Sequence, residues 1–193
     1  MEPTSVLQQA TRSHSPNVPP PAVVEALLQT EKTAKQTKVR YSFEQLLGHW
    51  RLRFVTGTKK SRQKAGIVLG AGRYIPSFID IQLSYSAAEP SAEAGRVENC
   101  VVLGPLKFIL TGPVKWLPQN ILAFDFMRMS VQLWGKTFYR GNLRGGEETE
   151  EAFYRERIGK QAFFSYFWVS EDAIAARGRG GGLALWDKVI RSS

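Results

Sequence analysis

The apolar positions of this chain change period once, and the change divides it. Val23, Val24, Leu27 and Leu28 recur at a spacing of four, and Thr30 to Lys38 continues in helix-forming, charged residues. That pattern predicts one amphipathic helix over 22–37. Pro19-Pro20-Pro21 ahead of it suits a helix start and no helix interior, so residues 1–21 read as a flexible, proline-rich arm. Ser42 followed by Gln45 has the form of a capping box, and Gly48 ends the short helix it opens. From Gly48 onward the period is two. Trp50, Leu52 and Phe54 alternate with Arg51, Arg53 and Val55, which predicts a half-buried strand with a largely cationic outer face.

More strands follow. Ile75, Phe78, Ile79, Ile81, Leu83 and Tyr85 form a second β region whose start Pro76 restricts to an edge or bend. After the small-residue loop 87–95 come Val97–Leu103 and Leu106–Leu110, punctuated by Gly104-Pro105 and Gly112-Pro113. Between 121 and 134 the phase changes: Leu122, Phe124 and Phe126 share one face, then Met127, Met129, Val131 and Leu133 the other. A bulge or a break near Phe126 accounts for this, as does burial on both faces. Gly135-Lys136 reads as a hairpin turn, 144–151 as a charged loop, and Phe163–Trp168 as a dense aromatic strand. Ala173–Arg177 and Leu183–Trp186 are strands flanking the glycine turn 178–182. Helices first and then many short strands predict a mainly β fold: an antiparallel barrel or curled sheet preceded by one or two N-terminal helices. The domain spans 22–190, with a helical lead over 22–47.

Composition narrows the classes. At 193 residues, 43% of them hydrophobic, the chain is long enough for one cored domain plus an arm. No run approaches the roughly 20 apolar residues of a membrane-spanning helix. One cysteine, Cys100, excludes an internal disulfide framework, and two histidines, His14 and His49, leave few ligands for a metal. The formal net charge of +9 is concentrated early: residues 48–86 hold seven Lys/Arg against the single acid Asp80. Lys59, Lys60, Arg62, Lys64 and Arg73 form the basic patch expected to meet an anionic membrane or an acidic partner, or simply to be solvated.

Catalysis finds little support. His49 lies inside a strand with no recognisable nucleophile near it in sequence, and Cys100 sits in a strand-like stretch where a buried thiol is the usual outcome. Gly70-Ala71-Gly72 and Gly178–Gly182 lack the Lys-Ser/Thr and the helix that phosphate cradling needs. The chain is therefore read as a non-enzyme with no cofactor and no metal. Arg177-Gly178-Arg179-Gly180-Gly181 looks like an RGG segment, but apolar strands bound it, so it reads as a turn rather than a nucleic-acid site.

Leu46-Leu47-Gly48-His49-Trp50 at the first strand, with Ala176-Arg177-Gly178 through Trp186 near the end, resembles the lipocalin pattern. More fully, it resembles the plastid lipid-associated protein (PAP/fibrillin) family of chloroplasts and cyanobacteria, over residues 22–187. The resemblance implies barrel closure by Gly48, Trp50 and an arginine, Arg177 or Arg179, stacked on the tryptophan. It also implies a peripheral protein of thylakoid or plastoglobule membranes, on the cytoplasmic face in a cyanobacterium or within a plastid, with a role in photoprotection or in lipid and quinone homeostasis. The polar arm lacks the composition of a transit peptide, which favours the cyanobacterial setting or a mature form.

An eight-stranded barrel can hold one small apolar ligand. The residues expected to line it are Phe124, Phe126, Met129, Trp134, Phe138, Phe164, Tyr166 and Trp168, and the ligand expected is an apolar lipid, carotenoid or prenylquinone. The rival reading is a filled barrel whose basic face docks an acidic protein. An open interior favours the first and a densely packed one the second.

Overall fold

The computed structural model describes residues 2–12, 18–57, 72–89, 93–143 and 147–189. Two helices lead the chain, α1 (Pro3–Arg12) and α2 (Pro20–Thr37), followed by a 3-10 turn over Phe43–Leu46. The strands are β1 (Gly48–Val55), β2 (Arg73–Tyr74), β3 (Ile79–Ala87), β4 (Ala94–Leu103), β5 (Leu106–Leu117), β6 (Ile121–Phe124), β7 (Arg128–Leu133), β8 (Lys136–Asn142), β9 (Ala162–Val169), β10 (Ala173–Gly178) and β11 (Leu183–Lys188). Helix α3 (Glu147–Arg155) lies between β8 and β9.

The fold is mainly β as expected, and its sheet closes. Antiparallel pairing runs β4-β3-β1-β11-β10-β9-β6-β5 and returns from β5 to β4, a ring of eight strands. Closure leaves these strands without a free edge along the paired stretches. β5 is the pivot of the arrangement, because its two halves have different outer partners. Val114–Leu117 pairs with β6 inside the ring, and Leu106–Thr111 pairs with β7, which carries β8 beyond it. The β7–β8 hairpin therefore leaves the barrel wall and prolongs the sheet as an apron.

Gly112-Pro113 does not end a strand, contrary to its reading as punctuation. β5 runs straight through it, at the point where the outer partner changes. The Pro113 carbonyl accepts the Asp125 amide at 3.3 Å, so the strand stays paired across the proline. Gly112 is needed because a Cβ at that position would lie 1.8 Å from the Asp125 carbonyl oxygen. The phase change near Phe126 is a true break: β6 ends at Phe124 and β7 starts at Arg128.

Inside the ring, Trp50, Tyr85, Trp116, Phe124, Tyr166 and Trp186 pack with Leu83, Val97, Val114, Leu122 and Ile174. The 3-10 turn plugs one end with Phe43 and Leu46, its Ser42–Gln45 capping box formed as read. Outside the ring, a second core lies under the leading helices. Leu7 and Ala10 of α1 and Val23, Ala26 and Leu27 of α2 cover Phe54, Phe167, Trp168, Ala173, Ala175, Leu183 and Leu185. The small Ala173 and Ala175 let the helices come close, and burial of both faces explains the unbroken apolar runs in β10 and β11.

Three expectations need correction. Residues 3–12 are a helix and not part of a flexible arm: Leu7, Ala10 and Thr11, on one face, are buried. The charged loop is in part α3, held because Phe153 packs on Ala123 and Met127 and because Lys115 Nζ donates to the Phe153 and Glu156 carbonyls at 2.8 and 2.9 Å. The outer face of β1 is not a cationic face: Arg51 pairs with Asp80 at 3.0 Å, and Arg53 meets Asp187 through two bonds of 2.7 and 2.8 Å. A bulge between Leu52 and Phe54 also turns Phe54 outward, into the core under the helices, while Trp50, Leu52 and Val55 face the interior.

Candidate functional site

The plugged end of the barrel is built around Trp50. Its ring is fully buried and its indole N–H donates to the Leu46 carbonyl at 2.7 Å. Gly48, at φ 115°, starts the strand in a conformation open to glycine. The cation on Trp50 is Lys188, its Nζ 5.3 Å from the ring centroid. Neither Arg177 nor Arg179 takes the expected stacking role. Register is the reason: Trp50 pairs with Lys188, whereas Arg177 pairs with Leu183, five residues back along β11 and at the far end of the barrel. Arg177 instead bonds Glu31 of α2 and the Gly181 carbonyl, and Arg179 bonds the Gln161 and Gly159 carbonyls.

The expected lining residues fall into three groups. Phe124, Phe164 and Tyr166 face the interior, and Phe126 packs at its edge. Phe124 and Phe164 stack with centroids 5.0 Å apart, and Phe164 meets Trp186 edge-on at 5.5 Å. Trp168 does not line the interior: a bulge in β9, between the residues opposite Ala175 and Ala176, sends both Phe167 and Trp168 to the outer core. Met129, Trp134 and Phe138 lie on the apron beyond the ring, with Trp134 77% and Phe138 84% exposed. An aromatic at an alternating position signals a face, and the sequence does not say where the sheet outruns its neighbours.

The end opposite the plug is apolar and half-open. Three rows cross β3, β4, β5 and β7 on the face continuous with the barrel interior. They run Leu83–Asn99–Leu110–Met129, Ile81–Val101–Phe108–Val131 and Ile79–Leu103–Leu106–Leu133. Eleven of these twelve side chains are apolar, and all but Leu83 keep some solvent exposure. The exception, Asn99, has a buried Oδ1 with no hydrogen-bond partner. Deeper in, the Tyr85 and Tyr166 hydroxyls bond each other at 2.8 Å amid the rings. Burial pushes both phenols well above their usual range, so both are neutral donors and acceptors.

Of the basic patch, Lys59, Lys60, Arg62 and Lys64 lie outside the described residues. Arg73 is exposed on β2. Among nucleophiles, burial raises the Cys100 thiol pKa, which leaves it a poor thiolate source. The fold makes one pair the sequence concealed: His49 Nδ1 lies 2.7 Å from Ser84 Oγ. Cross-strand pairing then gives the order His49–Ser84–Glu98, with the serine in the middle, whereas an activated serine needs the histidine between it and the acid. Clefts of about 330 and 350 Å³ open beside α2, outside the ring, lined in one case by Lys35, Lys38 and Arg40 and in the other by Thr30, Thr37 and Tyr41. No helix among the described residues is long and apolar enough to cross a membrane.

No known family's profile matches the chain, and no curated protein matches it. Among solved structures, a redesigned beta barrel is similar over 77% of this chain and 94% of its own, at 10% identity and a TM-score of 0.35. That degree of likeness carries no argument about function.

Proposed function

We propose that this chain is a non-enzymatic binding protein whose barrel mouth and apron hold an apolar lipid or isoprenoid-type molecule. The observation that supports it is the apolar face of three rows, ten carbon-rich side chains left partly exposed beside a closed barrel. Single exposed hydrophobes are ordinary, but a contiguous field of them costs solubility and is kept where something covers it. A flat apolar wall with few polar handles suits a long hydrocarbon more than a polar metabolite. The fibrillin resemblance adds carotenoids and prenylquinones as the ligands to try first, at photosynthetic membranes.

The rival, a filled barrel acting as a protein-docking module, is favoured by one observation. Rings fill the interior from Phe43 at the plug to Phe124 and Phe164 toward the other end, with centroids 5.0–6.5 Å apart. Native mass spectrometry with lipid extraction separates the two. A stoichiometric apolar ligand that is lost in Val101→Gln/Leu110→Gln supports the carrier. A chain that stays empty when carotenoids, quinones and acyl lipids are added back moves the assignment to the module.

A further inference from the structure

We propose that the tip of the β7–β8 hairpin is a docking site for anionic lipid bilayers. The row Ile79–Leu103–Leu106–Leu133 puts the turns that precede β3, join β4 to β5 and join β7 to β8 at one end of the apron. Phe78, Trp134 and Phe138 project there, and Phe78 is 69% exposed. Trp134 donates its amide to the Pro105 carbonyl at 3.0 Å, so adjoining turns brace the tip. Trp134 and Gly135 both have positive φ, 47° and 75°, the two central residues of a tight hairpin turn. The first of these positions favours asparagine or glycine, and a tryptophan there is strained with no packing of its own ring to offset the strain. A ring held in solvent at energetic cost is explained by a use outside the molecule.

Charge selects the occupant. β7 alternates Arg128, Ser130 and Gln132 on one face with Met129, Val131 and Leu133 on the other. Arg128, Lys136 and Arg140 have no ion-pair partner among the described residues, and Asp125 is the single acid between Asn99 and Leu143. A two-faced hairpin with an indole at its tip matches the head-group layer of a bilayer, where the ring enters the boundary and cations meet anionic lipid. A second copy paired along the β8 edge would bring these same cations against their duplicates, which opposes that occupant. This site uses none of the residues of the expected basic patch (Lys59, Lys60, Arg62, Lys64 and Arg73) and does not require a ligand in the barrel.

The test is co-sedimentation of the full chain with vesicles of equal parts phosphatidylglycerol and phosphatidylcholine, beside pure phosphatidylcholine. The wild type should bind the anionic vesicles, weaken as salt rises and show a blue shift in tryptophan emission that Trp134→Phe abolishes or shrinks. Trp134→Ser/Phe138→Ser should lower partitioning by about tenfold or more, since the two lose most of the apolar area entering the interface. Lys136→Gln/Arg140→Gln should lose the preference for anionic vesicles. Both pairs are surface replacements, so circular dichroism should stay as in the wild type, and Val101→Gln/Leu110→Gln, the variant that tests the carrier, should keep vesicle binding. That separates failure here from failure of the carrier reading. Wild-type binding by the serine variant overturns the proposal. So does the absence of wild-type binding to the anionic vesicles, with or without a concentration-dependent dimer or an acidic-protein complex that the same variant abolishes.

Discussion

Arg177 closes on Glu31 with Nε 2.8 Å from Oε1, joining strand β10 to helix α2 across 146 residues of sequence. Lys35 adds a bond to the same oxygen at 2.9 Å, and the Arg177 Nη1 also donates to the Gly181 carbonyl at 2.6 Å. Glu31 is the buried end of the pair, its side chain only 9% exposed. The arginine of the end motif thus locks the leading helix onto the barrel and leaves the barrel floor to other residues.

Glu31→Gln should lower stability by about 2–3 kcal/mol, because a half-buried guanidinium loses its anion while staying desolvated. Burial raises the Glu31 carboxyl pKa, but the hydrogen bonds from Arg177 and Lys35 outweigh it, and the group ends below the ordinary value. A folded-state pKa below the unfolded one adds stability above the unfolded pKa, about 4.3, and that gain disappears as pH falls through the folded value. Urea melts should show a constant gap between wild type and variant from neutral pH to about 5, closing on further acidification. A gap unchanged at about pH 3 would mean the carboxylate's charge is not what matters.

The barrel floor is tested by double-mutant cycles. Trp50→Phe and Lys188→Met should couple by about 0.5–1 kcal/mol, the scale of an accessible cation–π contact. Trp50→Phe and Arg177→Met should add within about 0.5 kcal/mol, since the register holds them apart. Strong coupling of Trp50 to Arg177 would contradict the pairing of β1, β11 and β10 that separates them.

The buried phenols make a third prediction. Tyr85→Phe should cost about 1–2 kcal/mol because it strands the Tyr166 hydroxyl, and adding Tyr166→Phe should recover most of the loss. Both folded-state pKa values lie above the unfolded one, so at alkaline pH the unfolded chain ionises first and stability falls above about pH 10. Phenolate absorbance should show two tyrosines titrating only together with unfolding in the wild type. Early, reversible titration of all six would place these rings in water.

Gly112→Ala should destabilise by about 3 kcal/mol or abolish folding, since the new Cβ meets backbone that cannot swing aside. Gly159→Ala, with nothing within 4 Å of its Cβ, is the control and should stay within about 0.5 kcal/mol of wild type by thermal melting.

Much of the barrel is legible in the residues. The alternation of Trp50, Leu52 and the arginines and the Ser42–Gln45 box are local signals that appear where they are read, and of the alternatives read near Phe126 the break is the one that forms. The interior roles of Phe124, Phe164 and Tyr166 are legible for the same reason. Trp168 and Phe54 are not, because one extra residue in a strand reverses every face beyond it and leaves no mark in composition. Helix α1 escapes because a ten-residue helix is too short to hold by itself and forms only on the surface that Leu7 covers.

By itself the sequence determined the mainly β class, the order of most of the strands and which positions alternate, since these depend on neighbours a few residues away. Tertiary structure decided the partner of Arg177, the exposure of Trp134 and Phe138, and the division of β5 between barrel and apron. Each of these depends on where distant strands begin and end. Alternation states that a strand has two faces, and only the assembled sheet decides which of them is covered, and by what.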